Sequence, residues 1–395
     1  MDKSLFIEME AAQFTKTGQA ECGDNVRFLT VERENRHLAA LSDGLGSGLK
    51  AHILATMTTS MAIKFLESNI PTLEAAEIIM DSLPVCEVRK IGYATFSLFD
   101  FRLGGHAKIT EMGNPGYIHL RGTTEITPLK DEMVVAAHWP DREVRECEAD
   151  FRPGDRIIIC SDGVTQAGLG QRRDMKFGWR RSGVMEFAKR RIEADNEISA
   201  RDLSMAIARE ARYIAPGGCK DDISCVVAYL RHPRVMRILT GPPYYRENDA
   251  EYARQAFLGA EHTVICGGTS TNIIERELGV KVKVNLADIR KSGGLPPVGY
   301  IEGIGIATEG ILTLSRVLSA IEEMRSTDNE PQAARMILER MMSHDRIEFV
   351  IGTKVNESHQ DPGIPQELEL RRSVIRRMQQ ALERNYRKEV VVYYY

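Results

Sequence analysis

Four short acidic motifs at the ends of apolar runs constrain the fold of this chain more than any other feature. They are GDN at 23–25, LAALSDG at 38–44, RIIICSDG at 156–163 and KDDIS at 220–224. A carboxylate at a strand end beside glycine can point into a cleft while the backbone turns away. Several such carboxylates would repel one another unless divalent cations neutralised them. The pattern therefore favours a fold that gathers strand ends around a metal site.

Ser-Asp-Gly is also ordinary turn chemistry, because Asp accepts local hydrogen bonds and Gly supplies a positive φ. For one such tripeptide alone we favour the turn interpretation, whereas the ordered set of motifs favours metal binding. Oxygen ligands of this kind suit Mg²⁺ or Mn²⁺, and no His or Cys cluster accompanies them to indicate zinc. A pair of such ions, ~4 Å apart, activates a water molecule and clamps a phosphoryl oxygen.

The order of apolar patterns in residues 1–232 predicts an α+β domain. Alternating runs predict strands before residue 45 and again after two helices. The helices are expected near 49–67 and 71–83, and a later one follows the N-cap Ser199. In the first helix, we expect the buried face to carry these residues: Leu54, Met57, Met61 and Phe65. This order fits a β-sandwich with helices packed outside better than βαβ alternation.

A cluster of prolines predicts a domain boundary. Pro233, Pro242 and Pro243 follow the strand-like run CVVAYL, so we expect a first domain over 1–232, a linker over 233–243 and a second domain over 244–395. The second part alternates strand, loop and helix, as in HTVIC followed by GGTST and a helix. This alternation predicts a smaller α/β domain with a parallel sheet.

Composition excludes several classes of protein. Hydrophobic residues make up 43% and charged residues 27%, which is globular rather than disordered or fibrous. A formal net charge of -4 gives no bulk attraction to nucleic acid or anionic membrane. Seven cysteines without a CxxC pair argue against a disulfide framework. The acidic N-terminus is no secretory signal, and no run reaches the ~18 apolar residues of a membrane span. We therefore expect a cytoplasmic protein that contacts neither nucleic acid nor membrane.

In order and spacing, the motifs resemble those of the metal-dependent PPM (type 2C) serine/threonine phosphatases, in particular the SpoIIE-like branch. The resemblance rests on GDN, SDGLGSG at 42–48, GNPGYIHLRG at 113–122, SDGV at 161–164 and KDDIS. It covers about residues 4–230 and implies a β-sandwich flanked by helices, with two Mn²⁺ or Mg²⁺ ions at one edge. It also implies hydrolysis of phosphoserine and phosphothreonine by a metal-activated water, with Asp24, Asp43 and Asp162 as catalytic residues.

The resemblance assigns individual metal ligands. Asp43 would bridge both ions, and the Gly44 carbonyl would bind one of them. Asp162 would bind the second ion, Asp221 would complete the first site, and Asp24 resembles the ligand in the family's first conserved strand. Asp222 stands where many relatives have Asn, so the choice between Asp221 and Asp222 stays open. Successive strand residues face opposite sides, so only one of the two should be the main ligand.

Some neighbours of the motifs depart from the family pattern. Leu45 replaces the histidine proposed as a general acid in eukaryotic relatives, and His52 is on the predicted helix, where a packing role is favoured. Lys50 and Arg27 are candidates to contact phosphate, although solvated surface charges are the favoured interpretation. We expect Asn114 and Gly116 to be structural.

Two segments have both a regulatory and a purely structural interpretation. The helices at 49–83 match a movable switch of the SpoIIE branch, or they are fixed core elements. The basic segment 168–179 is either a flap facing a phosphoprotein or a solvated loop. The basic stretch 371–388 is expected to be a solvated helix docked on its own domain.

The expected function is a phosphoprotein phosphatase in a bacterial signalling pathway. By analogy, its substrate would be a phosphorylated anti-anti-sigma-like (STAS) regulator, and a homodimer is left open. The alternatives are a catalytically silent PPM-fold binding module and a phosphatase of a small phosphorylated metabolite.

In the second domain, the CGGTST motif suggests a small-molecule site. It follows a strand and opens a helix, and a helix N-terminus attracts anions. The candidate anion site consists of four residues: Gly267, Gly268, Thr269 and Ser270. Ordinary turn chemistry is the alternative and, on the sequence alone, the favoured interpretation.

Overall fold

The computed structural model describes residues 5–46, 48–83, 94–102, 104–136, 139–284, 296–325, 327–354 and 364–395. Its internal contacts divide the chain into two units, Met1–His232 and Pro233–Tyr395. Within the described ranges, no helix has the length and apolar content needed to cross a membrane. Ser47 of the SDGLGSG motif and residues 285–295 lie outside the described residues.

The first unit contains eleven described strands and five described α-helices. The strands are β1 Phe6–Phe14, β2 Asp24–Val31, β3 Arg36–Gly44, β4 Ala94–Arg102, β5 His106–Met112, β6 Ile118–Arg121, β7 Thr124–Glu125, β8 Lys130–Ala136, β9 Trp139–Asp150, β10 Asp155–Cys160 and β11 Ile223–Arg231. The helices are α1 Leu49–Glu67, α2 Thr72–Ser82, α3 Asp162–Thr165, α4 Arg180–Ala194 and α5 Ala200–Ile214.

These elements form a four-layered sandwich. One sheet has the order β1-β11-β10-β6-β7, and the other has β2-β3-β4-β5-β9-β8. Apolar side chains from both sheets, such as Phe99, Ile109, Ile157 and Val226, fill the space between them. Helices α4 and α5 cover the outer face of the first sheet, and α1 and α2 cover the second. The predicted β-sandwich flanked by helices is confirmed.

Helix α1 buries a different face from the expected one. Met57 is 40% exposed, and the fully buried positions include Ala51, Ala55 and Ala62. Small side chains let the helix backbone approach β2 and β3 closely, and the larger Leu54, Met61 and Phe65 pack at the margin. The hydrophobic spacing identified the helix but not its inner face, because close approach selects small residues over large ones.

The second unit is an α/β domain. Its described strands are β12 Val235–Thr240, β13 His262–Cys266, β14 Lys283–Val284, β15 Gly299–Ile301, β16 Gly305–Thr308, β17 Arg346–Ile351 and β18 Glu389–Tyr394. Its described helices are α6 Asp249–Arg254, α7 Gly268–Leu278, α8 Ile311–Glu322, α9 Gln332–Ser343 and α10 Ile364–Tyr386. Strands β16, β13, β12, β17 and β18 are adjacent in that order and parallel.

Two boundary predictions in this unit are wrong. The range 233–243 is not a linker, because it contains β12, which lies between β13 and β17 with Met236, Ile238 and Leu239 buried. The prolines flank this strand rather than interrupt it. The GGTST segment is not a loop either, because α7 already begins at Gly268, directly after Gly267 with φ 119°.

The predicted N-cap Ser199 is confirmed and gives a stability prediction. Its Oγ accepts a hydrogen bond of 2.9 Å from the Asp202 backbone N–H at the start of α5. We expect Ser199→Ala to lower the free energy of unfolding by about 1 kcal/mol, measured by urea denaturation. Ser199→Asn keeps an acceptor oxygen and should retain most of the stability; equal losses in both variants would contradict a capping role.

Candidate metal centre

The pairing of β2 with β3 brings two of the predicted ligands together. Asp24 and Asp43 are directly opposite each other in the antiparallel register. Residues opposite each other across such a pair project from the same face, with Cβ atoms about 4.5–5.5 Å apart. The register therefore places both carboxyl groups on one side of the sheet, at the end where β3 gives way to α1.

The other sheet contributes the second pair of ligands. Asp162 directly follows β10, and Asp221 directly precedes β11, the neighbouring strand. Ser161 ties the two strand ends together, because its backbone N–H donates to the Ser224 carbonyl and its Oγ accepts from the Ser224 N–H at 3.0 Å. Asp162 and Asp221 thus leave adjacent strands at the same edge of the sandwich.

The electrostatics show that all four carboxyl groups converge. Burial, together with the negative charges of Asp24, Asp162 and Asp221, raises the pKa of Asp43 to about 9. Burial likewise raises the pKa of Asp24 to about 7, although the Ser224 and Ser161 hydroxyls partly oppose the shift. The pKa values of Asp162 and Asp221 are also raised, again chiefly by burial. Without bound cations, the protein therefore disfavours the ionised form of all four aspartates at once.

The donor set fits divalent cations. Both carboxyl oxygens of Asp24 and Oδ1 of Asp162 are buried, and among the described residues none of the three has a hydrogen-bond partner of standard geometry. A buried oxygen left in this state costs roughly 1–3 kcal/mol, which a cation at the same place would offset. All the side-chain donors are hard oxygens, as Mg²⁺ and Mn²⁺ prefer.

The aspartates do not form a tight cage around a single point. Among the described residues, no three aspartate oxygens lie within 4.8 Å of one another; the one His/Cys/Asp/Glu group that does so is Glu261, His262 and His344 in the second unit. There, a 3.0 Å hydrogen bond between the two imidazole rings accounts for the close contact.

Asp221 and Asp222 have different surroundings. The Asp222 carboxylate is 3% exposed, and its two oxygens accept hydrogen bonds from the backbone N–H groups of Lys16 (2.8 Å) and Gly23 (2.9 Å). Asp222 therefore fastens the loop before β2 to the start of β11. The Asp221 carboxyl is only half-buried and accepts one described hydrogen bond, from the Asp222 N–H.

Two glycines allow the motifs to pack this closely. A Cβ on Gly44 would lie 2.0 Å from the carbonyl oxygen of Ala51 in α1, and a Cβ on Gly163 would lie 2.0 Å from the carbonyl oxygen of Asp222. Neither distance is compatible with a side chain. The glycine of each Ser-Asp-Gly motif is thus required because a neighbouring backbone occupies the space of its side chain.

The structure assigns a basic neighbour that the sequence did not reveal. The Lys16 ammonium lies close enough to Asp221 to lower its pKa against the effect of burial. Arg27 and Lys50, the two candidates from the sequence, are exposed. Lys16 lies in a polar loop with no local motif, and the hydrogen bond from its backbone N–H to Asp222 holds this loop beside the start of β11.

The remaining candidates have supporting contacts. His52 Nδ1 lies 2.9 Å from the Cys22 carbonyl oxygen and so joins α1 to the loop before Asp24. Asn114 accepts a hydrogen bond from Thr95, the residue opposite Asp43 on β4, and donates one of 3.0 Å to Ser97. Gly116 lies against the Arg145 guanidinium, where a Cβ would be 3.0 Å from Nη1.

The family model described as Stage II sporulation protein E (SpoIIE) matches residues 33–231. This range is half of the chain. The chain belongs to the SpoIIE family. The resemblance inferred from the motifs is confirmed, and the family match covers three of the four aspartates proposed as ligands. Asp24 precedes the matched range, so its place in the site rests on its pairing with Asp43.

Stage II sporulation protein E of Bacillus subtilis (strain 168) is 22% identical over 232 residues, which are 58% of this chain and 26% of that protein. The chain thus spans about a quarter of the curated relative it matches.

Solved structures of phosphatase domains are similar to more than half of the chain. The PP2C phosphatase domain of SpoIIE from Bacillus subtilis, with a fragment of its regulatory domain, is 22% identical with a TM-score of 0.47, covering 58% of this chain and 63% of that one. RsbX in complex with magnesium is 18% identical with a TM-score of 0.40, covering 57% and 95%. The phosphatase PstP/Ppp of Mycobacterium tuberculosis is 18% identical with a TM-score of 0.37, covering 57% and 99%.

The raised pKa values predict how the metal-free protein responds to pH. Asp24 and Asp43 hold protons in the folded state up to about pH 7 and 9, whereas the unfolded chain releases them near 3.8. The folded state then binds more protons than the unfolded state, so stability falls as pH rises through this window. In EDTA, we expect the melting temperature to fall between pH 5 and about 9, and Mn²⁺ should raise it most at the upper end. A metal-induced shift of the same size at every pH would contradict the prediction.

Proposed function

We propose that this SpoIIE-family protein is a phosphoserine/phosphothreonine protein phosphatase that uses two Mg²⁺ or Mn²⁺ ions in a bacterial signalling pathway. The observation that carries the proposal is the convergence of Asp24, Asp43, Asp162 and Asp221 at one sandwich edge, where buried carboxyl oxygens have no hydrogen-bond partner of standard geometry among the described residues. A catalytically silent binding module would have no need to keep four mutually repelling carboxyl groups together.

The residues of this chain have separate roles in the proposed reaction. Asp43, at the centre of the cluster, would hold both ions, with Asp24, the Gly44 carbonyl, Asp162 and Asp221 as the remaining ligands. The ions, when bound, supply an activated water and neutralise phosphoryl charge.

Groups around the ligands complete the proposed site. Asp222 positions the loop that carries Asp24 by accepting two backbone N–H groups. The Lys16 ammonium, beside Asp221, would face a phosphoryl oxygen. No cysteine is needed, and Cys22 and Cys160 would be packing residues.

A phosphorylated protein is the substrate class that we favour over a small metabolite. The segment 168–179 forms exposed turns next to the site, and the Lys220 Nζ beside Asp221 donates to the Leu169 carbonyl. This segment presents exposed Arg173, Lys176 and Phe177, a basic and aromatic surface suited to an anionic phosphopeptide. A phosphorylated STAS-type regulator is the partner that the family relationship suggests. Helices α1 and α2 would act as the switch, because α1 contacts Gly44 directly through Ala51.

Removing one central carboxylate should abolish turnover without unfolding the protein. Asp43→Asn or Asp162→Asn removes a metal ligand and, in addition, relieves charge repulsion, so we expect p-nitrophenyl phosphate hydrolysis in Mn²⁺ to fall at least 100-fold with melting temperature kept or raised. Asp150→Asn, at the far end of β9, is the matched control and should retain activity. Hydrolysis near the unsubstituted level in both ligand variants would refute the metal-centre assignment.

The proposed division between Asp221 and Asp222 can be tested directly. Asp221→Asn should weaken Mn²⁺ activation, so that a higher Mn²⁺ concentration restores part of the activity. Asp222→Asn places an amide group against two backbone N–H donors, and we expect it to lower the melting temperature in the absence of metal. Both variants are compared for Mn²⁺ dependence and thermal stability. If Asp222→Asn weakened Mn²⁺ activation and Asp221→Asn lowered the melting temperature, the two roles would be the reverse of those proposed.

A further inference from the structure

The strand order of the second unit creates a crevice at one edge of its sheet. The first strand, β12, is central; the chain adds β13 and β16 on one side and then β17 and β18 on the other. In open parallel sheets, ligands bind at the carboxyl ends of the strands where the order reverses in this way. A cleft of about 170 Å³ lies at this edge, lined by residues 240–242, 266–270, 309–311 and Arg371. We refer to it as the carboxyl-edge cleft.

Helix α7 directs its N-terminus to this cleft. Gly267, in a left-handed conformation with φ 119°, precedes the helix, and no side chain caps its first turn. The opening backbone amides of a helix carry partial positive charge and bind anions. Helix α8 differs, because Glu309 already accepts a hydrogen bond from the Thr313 N–H in its first turn.

A buried hydroxyl group provides a second and independent indication of a ligand. Ser270 is 1% exposed and lines the cleft, and among the described residues its Oγ has no hydrogen-bond partner of standard geometry. It lies close enough to the fully buried Tyr252 hydroxyl to lower the pKa of Tyr252 against the effect of burial, but the two hydroxyl groups do not form a hydrogen bond of standard geometry. Buried hydroxyl groups are normally hydrogen-bonded, so a ligand oxygen that reached Ser270 would satisfy a group for which the described residues offer no well-aligned partner.

Charge and size define the class of ligand. The Arg371 guanidinium from α10 lies against Gly241 on the wall of the cleft. A cation and an uncapped helix N-terminus on one cleft favour an anion, and the Glu309 carboxylate at the rim can accept a hydrogen bond from a ligand hydroxyl. A volume of about 170 Å³ is below the ~300–1,000 Å³ typical of sites for drug-sized ligands. It suits a phosphoryl group with a small hydroxylated part rather than a dinucleotide.

We propose that the carboxyl-edge cleft binds the phosphate group of a small hydroxylated phosphate monoester, such as a sugar phosphate or the phosphoribosyl part of a nucleotide. The backbone amides at Gly268–Ser270 and the Ser270 Oγ–H donate to the phosphate, and Arg371 supplies the balancing charge. The second unit is then a ligand-binding domain, independent of the reaction proposed for the first.

Gly268 offers a sharp test because an added Cβ meets no atom within 4 Å. Gly268→Asp puts a negative charge at the start of α7, where it favours the helix but repels a phosphate. Gly268→Asn, which adds a side chain of nearly the same size without the charge, is the control. In titration calorimetry of the full chain with ribose 5-phosphate, AMP and inorganic phosphate, we expect Gly268→Asp to weaken binding at least 10-fold and Gly268→Asn to weaken it by less than 3-fold.

Two further pairs of variants test the other contacts. Ser270→Ala and Arg371→Gln should each weaken binding at least 5-fold, whereas Ser319→Ala and Arg376→Gln, on other surfaces, should not. All titrations are made in EDTA and repeated in Asp43→Asn protein, so that the aspartate centre does not contribute. Absence of binding by all three compounds at millimolar concentration, or binding that Gly268→Asp leaves unchanged, would overturn the proposal without affecting the proposed phosphatase.

Discussion

Mutual repulsion among buried carboxyl groups is the constraint on which the first unit depends. Four aspartates from two different sheets meet at one edge, and burial adds to their repulsion by raising the free energy of each charged form. No described hydrogen bond satisfies either oxygen of Asp24. The arrangement is therefore unfavourable as an isolated protein structure, and the proposed sharing of cations among the carboxylates would make it favourable.

Hydrogen bonds between side chains and backbone groups, together with close backbone contacts, keep this edge in place. Asp222 joins the loop before β2 to β11, and Ser161 holds the ends of β10 and β11 together. The carbonyl groups of Ala51 and Asp222 occupy the space beside Gly44 and Gly163. Because α1 contacts Gly44 through Ala51, a change in the position of α1 would reach the proposed ligand Asp43 through its neighbour Gly44.

The site proposed in the second unit depends on a different principle. Its parallel strands place loops and helix N-termini at a common edge, where backbone dipoles favour a negatively charged ligand. The proposed site of the first unit thus combines acidic side chains that would attract cations, whereas that of the second combines backbone amides with an arginine that would attract anions.

The sequence by itself determined the chemistry and much of the secondary structure. Local patterns predict the aspartates at strand ends, the Ser199 cap and the bounds of α1. Turns, caps and helical periodicity depend on residues close in the chain, so the sequence alone reveals them. Tertiary structure alone decided the inner face of α1, the inclusion of β12 in a sheet, the position of Lys16 and the different surroundings of Asp221 and Asp222. Each of these depends on which distant backbone groups approach a residue, as Lys16 and Gly23 approach Asp222, and no local pattern in the chain encodes that proximity.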